Sequence, residues 1–160
     1  MNDFEVEVNI GLELERAGRD DEAIAHFALL VEAFPTEPRA WFEYAGAFDS
    51  AGREKEAVQF YKMAMEMGLP DEVLARAYLQ LGSSLRNIAQ HEWAVSTLRE
   101  GCARFPENDA LRVFLAFALE SADQPKNAIT ELLNLVIDRV QSPDMWRYAR
   151  AIRYYAEERR

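Results

Sequence analysis

A seven-residue stretch occurs twice in this 160-residue chain, with the second copy 34 positions after the first. The letters "AGRDDEA" occupy residues 17–23, and "AGREKEA" occupies residues 51–57. The same register aligns Phe27 with Tyr61, so an aromatic residue also returns at a shared position. Self-similarity at a fixed period is the sequence signature of repeat architectures. The spacing therefore limits the fold to a stack of similar units more strongly than any local propensity does.

The repeat continues along the rest of the chain with one insertion. Ala57 is followed by Ala94 after 37 residues, and Ala94 is followed by Ala128 after 34. The three additional residues fall near "MGLPDEV", residues 67–73, where Gly and Pro indicate a turn whose loop can absorb them. We therefore predict repeats at approximately 4–37, 38–71, 75–108 and 109–142, followed by a final segment at 143–160.

Each repeat is predicted to be a helical hairpin. Gly18 and Gly52 stand where a first helix should end, because glycine adopts a left-handed backbone at little cost. The acidic residues that follow each glycine favour the positive end of the next helix's dipole. Small residues recur where the two helices must approach closely: Gly11, Ala45, Gly82 and Ala116 on first helices, and Ala23, Ala57, Ala94 and Ala128 on second helices.

This pattern resembles the tetratricopeptide repeat, a 34-residue helix-turn-helix unit with W-x2-L-G-x2-Y followed by Ala, an aromatic residue, Ala and Pro. The second copy matches best, with "WFEYAGAF" followed by Ala57, Tyr61 and Ala64. The resemblance covers roughly residues 4 to 140, although Glu7 and Arg112 stand where an aromatic residue is usual and Val140 where a proline is. It implies one all-α domain over 1–160, an α-α superhelix of four hairpins plus a C-terminal capping helix at 143–160.

Composition and charge exclude several classes of function. A formal net charge of −10 would repel a phosphate backbone, so we expect no nucleic-acid ligand. The longest apolar run, Val113 to Leu119, is far shorter than the roughly 20 residues of a membrane span, so we expect no membrane insertion. The acidic first twenty residues do not resemble an export signal, and a lone Cys102 forms no internal disulfide. The expected location is the cytoplasm.

The sequence offers no pattern that is typical of an enzyme. "HEWAV" at 91–95 begins like a zinc-protease helix but lacks the second histidine, and His26 is the other histidine of the chain. No phosphate-binding glycine loop, G-x-S-x-G elbow or cysteine pair is present. Carboxylates on repeat helices are usually solvated, and Cys102 is expected to be buried rather than reactive. We therefore predict no catalysis, no cofactor and no metal site.

The resemblance implies a concave groove lined by the first helix of every repeat. The groove positions of the four copies are Glu5, Val8, Leu12, Glu15 and Arg16; Arg39, Phe42, Gly46, Asp49 and Ser50; Arg76, Leu79, Ser83, Arg86 and Asn87; and Ala110, Val113, Phe117, Glu120 and Ser121. Some members of the family grip a peptide's terminal carboxylate with a Lys/Arg and Asn clamp at the fifth and ninth positions. Val8 and Leu12 stand there in the first copy, which argues against such a clamp.

The final segment is predicted to be a helix, with Ser142 as its cap and Pro143 in its first turn. One stripe (Met145, Tyr148, Ala149, Ile152, Tyr155 and Ala156) is expected to cover the exposed face of the fourth hairpin. The opposite face presents Trp146, Arg150, Arg153 and Tyr154, and aromatic and basic residues often anchor binding sites. We therefore predict a binding site at the C-terminal half of the groove, formed by Arg76, Leu79, Phe114, Phe117, Trp146, Arg150 and Tyr154.

Two functional hypotheses follow from the free surfaces. The first is an adaptor that binds a protein or peptide partner in the groove. The second is a self-associating structural protein whose aromatic C-terminal end forms a homodimer. The chain ends differ in charge, since residues 1–22 have eight acids and two arginines (−6) whereas 139–160 have three acids and six arginines (+3). This asymmetry favours different parts of a ligand at the two ends of the groove.

Overall fold

The computed structural model describes residues 3–158, and these residues form nine α-helices and no strand. The first eight helices pack in consecutive pairs, which confirms the predicted four hairpins followed by a ninth helix. The helices are α1 (Asp3–Arg16), α2 (Asp20–Ala33), α3 (Pro38–Ser50), α4 (Glu54–Met67), α5 (Asp71–Asn87), α6 (His91–Arg104), α7 (Asp109–Ser121), α8 (Pro125–Arg139) and α9 (Pro143–Glu157).

All four hairpins turn through the same backbone motif. Gly18 and Gly52 have φ values of +69° and +70°, so the two glycines end their helices in the left-handed conformation as predicted. The third and fourth hairpins place Ala89 (φ 60°) and Asp123 (φ 58°) at the same position. In the first turn the amide of Gly18 donates to the carbonyl of Glu15, and the other three turns repeat this bond. The repeat therefore fixes the turn geometry even where it lacks glycine.

Small residues set the distance between the two helices of a hairpin. A Cβ atom added to Gly11 would lie 2.2 Å from Cζ of Phe27, and one added to Gly82 would lie 2.4 Å from Cγ of Leu98. Neither distance leaves room for a side chain, because buried residues are packed as densely as crystals. The predicted register of small contact residues is therefore confirmed at these two hairpins.

The three-residue insertion does not lengthen a loop. Helix α5 begins at Asp71 and has 17 residues, whereas α3 and α7 have 13 each. The connection before α5 is short, with Gly68 in the left-handed conformation (φ 95°) and Pro70 next to the helix start. The expectation that a loop absorbs the insertion was wrong, because one additional helical turn satisfies its own backbone hydrogen bonds.

Polar contacts between the two helices of a hairpin occur where two of the usual aromatic residues are missing. Arg112 on α7 donates from Nε to Glu131 at 2.9 Å and from Nη1 to Asp138 at 2.9 Å, and both acceptors lie on α8. The main-chain carbonyl of Glu7 on α1 lies 2.8 Å from the ring nitrogen Nε2 of His26 on α2, and the Glu7 carboxylate lies 3.4 Å from the same nitrogen. These bonds connect the two helices of each hairpin at the place where the second repeat uses stacked aromatic rings.

Helix α9 packs against the outer surface of α8. Thr130 is buried there, and its hydroxyl donates to the carbonyl of Ala156 at 2.8 Å. The corresponding residues one and two repeats earlier, Ser96 and Gln59, are exposed. In addition, Arg153 donates to Asp138 at 2.8 Å. The ninth helix therefore covers a side of α8 that the other second helices leave in solvent.

The predicted packing stripe of α9 is correct only in part. Met145, Ala149 and Ile152 are half-buried and Ala156 is buried. Tyr148 and Tyr155 were expected to pack inwards, but they are 57% and 63% exposed. That expectation was wrong because α9 contacts one helix rather than the cleft between two, and a single helix covers only a narrow stripe.

Candidate partner-binding groove

The groove surface, formed by the groove positions of α1, α3, α5 and α7, is crossed by ion pairs at its N-terminal end. Arg39 donates from Nη1 to Glu5 at 2.8 Å, which joins α3 to α1. It also donates from Nε to Glu43 at 3.3 Å. Glu43 is 3% exposed, and burial raises the pKa of its carboxyl although Arg76 and Arg39 oppose that change. The charged groups at this end are therefore paired with one another.

Carboxylates line the middle of the groove surface. Burial, with help from Glu43 and Asp20, raises the pKa of Glu15 to about 7, and one of its oxygens is buried without a hydrogen-bond partner among the described residues. Burial also raises the pKa of Asp49, which accepts from the hydroxyl of Ser84 at 2.9 Å. This part of the surface is therefore polar and partly desolvated.

Arg76 lies between the charged and apolar parts of the groove surface. Its guanidinium stands over the ring of Phe42 at 5.0 Å from the centroid, and its charge lowers the pKa of Glu43 and Glu15 against the effect of burial. Leu79, one turn further along α5, is half-buried against the core. Arg76 is exposed and available to a ligand, whereas Leu79 offers only part of its side chain.

The C-terminal end of the groove surface is apolar and open. Phe117 is 50% exposed, with Arg86 over its ring at 5.7 Å and with Phe114 in edge contact at 6.0 Å between centroids. Beside it lies a recess of about 400 Å³, which we term the C-terminal recess. It is lined by Val113, Ala116, Phe117, Glu120, Pro125, Ala128, Ile129 and Leu132. One charged residue contributes to this lining.

The structure divides the seven predicted site residues into two groups. Arg76 and Leu79 on α5 and Phe114 and Phe117 on α7 belong to two helices that pack against each other. The remaining three, Trp146, Arg150 and Tyr154, lie on α9. In the described residues no Cα atom of α9 comes within 8 Å of one in α7. The three residues of α9 are therefore displaced from the other four.

The surface of α9 is rich in exposed aromatic and basic side chains. Trp146 is 79% exposed and Tyr154 is 58% exposed, with the Tyr154 hydroxyl donating to Glu158 at 2.6 Å. Arg150 is exposed and has no ion-pair partner within residues 3–158. Arg153, which was expected beside Trp146 on the free face, is bonded to Asp138 instead. This helix therefore presents a separate surface behind the last hairpin.

Sequence reasoning missed the contribution of α8 to the recess. Ile129 and Leu132 lie on a second helix, and the implied groove positions fall only on first helices. The sequence carries no distinguishing signal, because the same positions of α6, Val95 and Leu98, are also apolar and are buried there.

Two further observations concern the reactivity of Cys102 and membrane insertion, both of which the sequence argued against. Cys102 is half-buried, and burial raises the pKa of its thiol to about 11, so little reactive thiolate is present near neutral pH. Among the helices of residues 3–158, none combines the length and the apolar character that a bilayer crossing requires.

Two family profiles match the chain. One described as "Tetratrico peptide repeat" matches residues 38–159, and one described as "Tetratricopeptide repeat" matches residues 8–47. The first covers well over half of the 160 residues. Together they span residues 8–159.

The chain is also similar to individual proteins. The chain is 26% identical over 131 residues to the Hsp70-Hsp90 organizing protein of Triticum aestivum, a stretch that is 81% of this chain and 22% of that protein. The chain thus spans less than a quarter of that relative's length. Its structure is similar to that of MamA 41-end from Desulfovibrio magneticus RS-1, with a TM-score of 0.71 at 18% identity over 99% of this chain and 92% of that one.

A further solved structure is that of YrrB, described as a TPR protein with an unusual peptide-binding site. The TM-score is 0.69 at 16% identity, covering 96% of this chain and 77% of YrrB. At such identities the likeness to MamA and YrrB establishes the superhelical fold, and the chemistry of the binding site must be derived from this chain's own residues.

Proposed function

Because this chain belongs to the tetratricopeptide repeat family, we propose that it is an interaction adaptor that binds an extended segment of a partner protein in its groove. The proposal includes no catalytic step. The groove surface is formed by four first helices, so a ligand lying across it contacts several repeats at once. YrrB, which shares the fold, is described as having a peptide-binding site.

The observation that carries this proposal is the exposed Phe117 beside the C-terminal recess. A half-exposed aromatic ring gains from being covered, and the recess beside it is large enough for an apolar side chain. Arg86 over the ring and Arg76 nearby in the groove supply positive charge. The ligand that fits best is a segment with one large apolar residue for the recess and acidic residues directed towards these arginines.

The chaperone partners named for the wheat relative are not assigned to this chain. A carboxylate clamp of the kind described above needs basic and amide side chains at its first two positions. Here Val8 is completely buried and Leu12 is half-buried, so neither can bind a carboxylate. The groove therefore suits an internal segment of a partner better than a free C-terminus.

The test is a selection of peptides from a displayed library, followed by affinity measurement on variants of the chain. Phe117→Ala should weaken the selected peptide by about 2 kcal/mol or more, because an exposed aromatic anchor is lost. Trp93→Ala is the matched control, since Trp93 is 65% exposed on α6, outside the groove surface. Equal affinity for wild type and Phe117→Ala would exclude this end of the groove.

A second candidate is a homodimer through the exposed aromatic surface of α9. Four aromatic residues of that helix are 57% exposed or more, and an exposed apolar patch often marks an interface. If light scattering shows a dimer whose mass does not change with concentration, and Trp146→Ala converts it to a monomer, the structural role gains. Loss of peptide binding in Trp146→Ala, with the chain monomeric throughout, would instead extend the adaptor site to α9.

A further inference from the structure

The C-terminal end of the repeat stack exposes residues that the internal repeats bury. Ile129 and Leu132 on α8 are 42% and 40% exposed. Their counterparts one repeat earlier, Val95 and Leu98, are 2% and 1% exposed because α7 packs against them. Val136, one turn beyond Leu132, is 43% exposed as well. The recess therefore corresponds to the position that the next first helix occupies between internal repeats.

Helix α9 does not occupy that position. It lies on the outer surface of α8, where Thr130 bonds to Ala156, and it makes no close backbone approach to α7 in the described residues. A first helix in the next repeat position would contact both helices of the preceding hairpin, as α7 contacts α5 and α6. The recess is consequently open although a ninth helix follows in the chain.

The N-terminal end exposes the complementary face. Val6 and Ile10 on α1 are 36% and 41% exposed. The residues at the same repeat positions on α7, Leu111 and Leu115, are 0% and 5% exposed because they face the preceding hairpin. Thus α1 exposes to solvent the face that the other three first helices pack against the preceding hairpin.

We propose that helix α1 of a second copy of this chain docks in the C-terminal recess, so that copies stack head to tail. In this arrangement Val6 and Ile10 of one copy cover Ile129 and Leu132 of the next. The proposal assigns to the recess the same type of helix that occupies the equivalent position between internal repeats. It goes beyond the proposed function, since it concerns the end of the stack, and a docked helix α1 and the apolar residue of a bound ligand would compete for the recess.

Charge argues against the pairing of two N-terminal ends. Residues 1–22 have eight acids and two arginines (−6), so two such ends repel each other. The helices that form the recess, residues 109–139, have five acids and three basic residues (−2), so the contact between α1 and the recess must be held by its apolar side chains.

Head-to-tail contact uses two different surfaces, and therefore differs from a twofold dimer. A heterologous contact of this kind continues into an open chain of copies unless the rotation closes a ring. Stacking by the repeat's own geometry also continues the groove from one copy to the next.

The experiment is sedimentation velocity of the 160-residue chain at concentrations up to about 1 mM, with one variant blocked at each end. Ile10→Glu blocks the head, and Leu132→Glu blocks the recess, because each buries a charge in the contact. Leu29→Glu is the matched control, since Leu29 is 65% exposed on α2 outside both surfaces. Circular dichroism checks that all variants remain helical, and Val6→Glu and Ile129→Glu provide a second pair.

The expected result has three parts. Wild type and the control form species larger than dimers with rising concentration, and each blocked variant alone associates at least about tenfold more weakly. An equimolar mixture of Ile10→Glu and Leu132→Glu recovers a one-to-one dimer and nothing larger, because one free head meets one free recess. Raising the salt concentration does not weaken the association, because the contact is apolar and the helices on both sides of it are net acidic.

Three results would overturn the proposal. Wild type could remain monomeric throughout the concentration series. Both blocked variants could associate like wild type while Trp146→Ala abolishes association, which would assign the contact to α9. The mixture could fail to form the dimer that each wild-type pair forms. None of these results bears on peptide binding measured with Phe117→Ala, so the failure of either proposal is distinguishable from the failure of the other.

Discussion

The N-terminal and C-terminal halves of the groove surface meet solvent in different ways. In the N-terminal half, Arg39 is bonded to Glu5 and to the buried Glu43, and the charges satisfy one another. In the C-terminal half, Phe117 and the lining of the recess are apolar and uncovered. A ligand gains little by displacing ion pairs that are already made, but it gains by covering apolar surface. The two halves share the repeated backbone but differ in their side chains, with paired charges in the N-terminal half and uncovered apolar surface in the C-terminal half.

The same contrast appears in what each half would lose on mutation. A change in the paired half removes a partner from a buried charge, which lowers the stability of the fold. A change in the open half removes surface that is already in water, which lowers affinity and leaves the fold nearly intact. Stability and binding measurements on matched variants can therefore separate the two halves.

The largest expected effect is on stability and lies in the N-terminal half. Arg39→Ala should lower the free energy of unfolding by about 2 to 3 kcal/mol, because Glu43 is 3% exposed and would lose its bonded cation. Arg86→Ala, the control in the C-terminal half, should cost less than about 1 kcal/mol. Urea denaturation measures both, and adding Glu43→Gln to Arg39→Ala should recover much of the loss. Equal costs for Arg39 and Arg86 would remove the distinction between the halves.

The next effect compares two equivalent small residues. Ala57→Leu should cost about 1 to 3 kcal/mol, since Ala57 is 0% exposed inside a closed hairpin and a larger side chain forces its neighbours apart. Ala128→Leu should cost distinctly less, because Ala128 lines the open recess of about 400 Å³. Thermal unfolding of the two variants provides the comparison. A neutral Ala57→Leu would show that the repeat register is wrong.

The sequence was sufficient to predict the repeat, the four hairpins and the ninth helix, because period, small contact residues and turn glycines all agree. It predicted that α9 covers the exposed face of the fourth hairpin, whereas α9 lies on the outer surface of α8 and leaves the recess open. Ala149 and Ile152 form an apolar stripe that suits either the recess or the outer surface of α8, and only Thr130 and Asp138 select the latter. The recess was missed for the same reason, since its exposure depends on the place that α9 leaves empty.

A smaller effect concerns pH and the middle of the groove. Burial raises the pKa of Glu15 from its ordinary 4.5 to about 7, so the folded chain keeps a proton that the unfolded chain releases. The stability from this group is complete below about pH 4.5 and is lost as the pH rises through about 7. Glu15→Gln should therefore raise the melting temperature at pH 8 by roughly 3 °C and leave it nearly unchanged at pH 4.5.

The control for this measurement is Glu13→Gln, which removes a charge at an exposed position on the same helix. It should leave the pH dependence of the melting temperature unchanged. If Glu15→Gln and Glu13→Gln give parallel curves between pH 4.5 and pH 8, the proton at Glu15 does not affect stability. The groove would then lack the desolvated carboxylate that distinguishes its middle from its C-terminal end.

The smallest effect lies in the turns, where the halves again differ. Gly18 and Gly52 supply the left-handed residue in the first two hairpins, whereas Ala89 supplies it in the third at φ 60°. Alanine pays a steric cost in this conformation that glycine avoids, and the cost exceeds glycine's additional entropy in the unfolded chain. Ala89→Gly should therefore stabilise the fold by about 0.5 to 1 kcal/mol, and Gly52→Ala should destabilise it by a similar amount. Asp123→Gly should gain less, because aspartate tolerates this conformation better than alanine. Chemical denaturation of the three variants tests the order, and a destabilising Ala89→Gly would mean that the third turn relaxes to another geometry in solution.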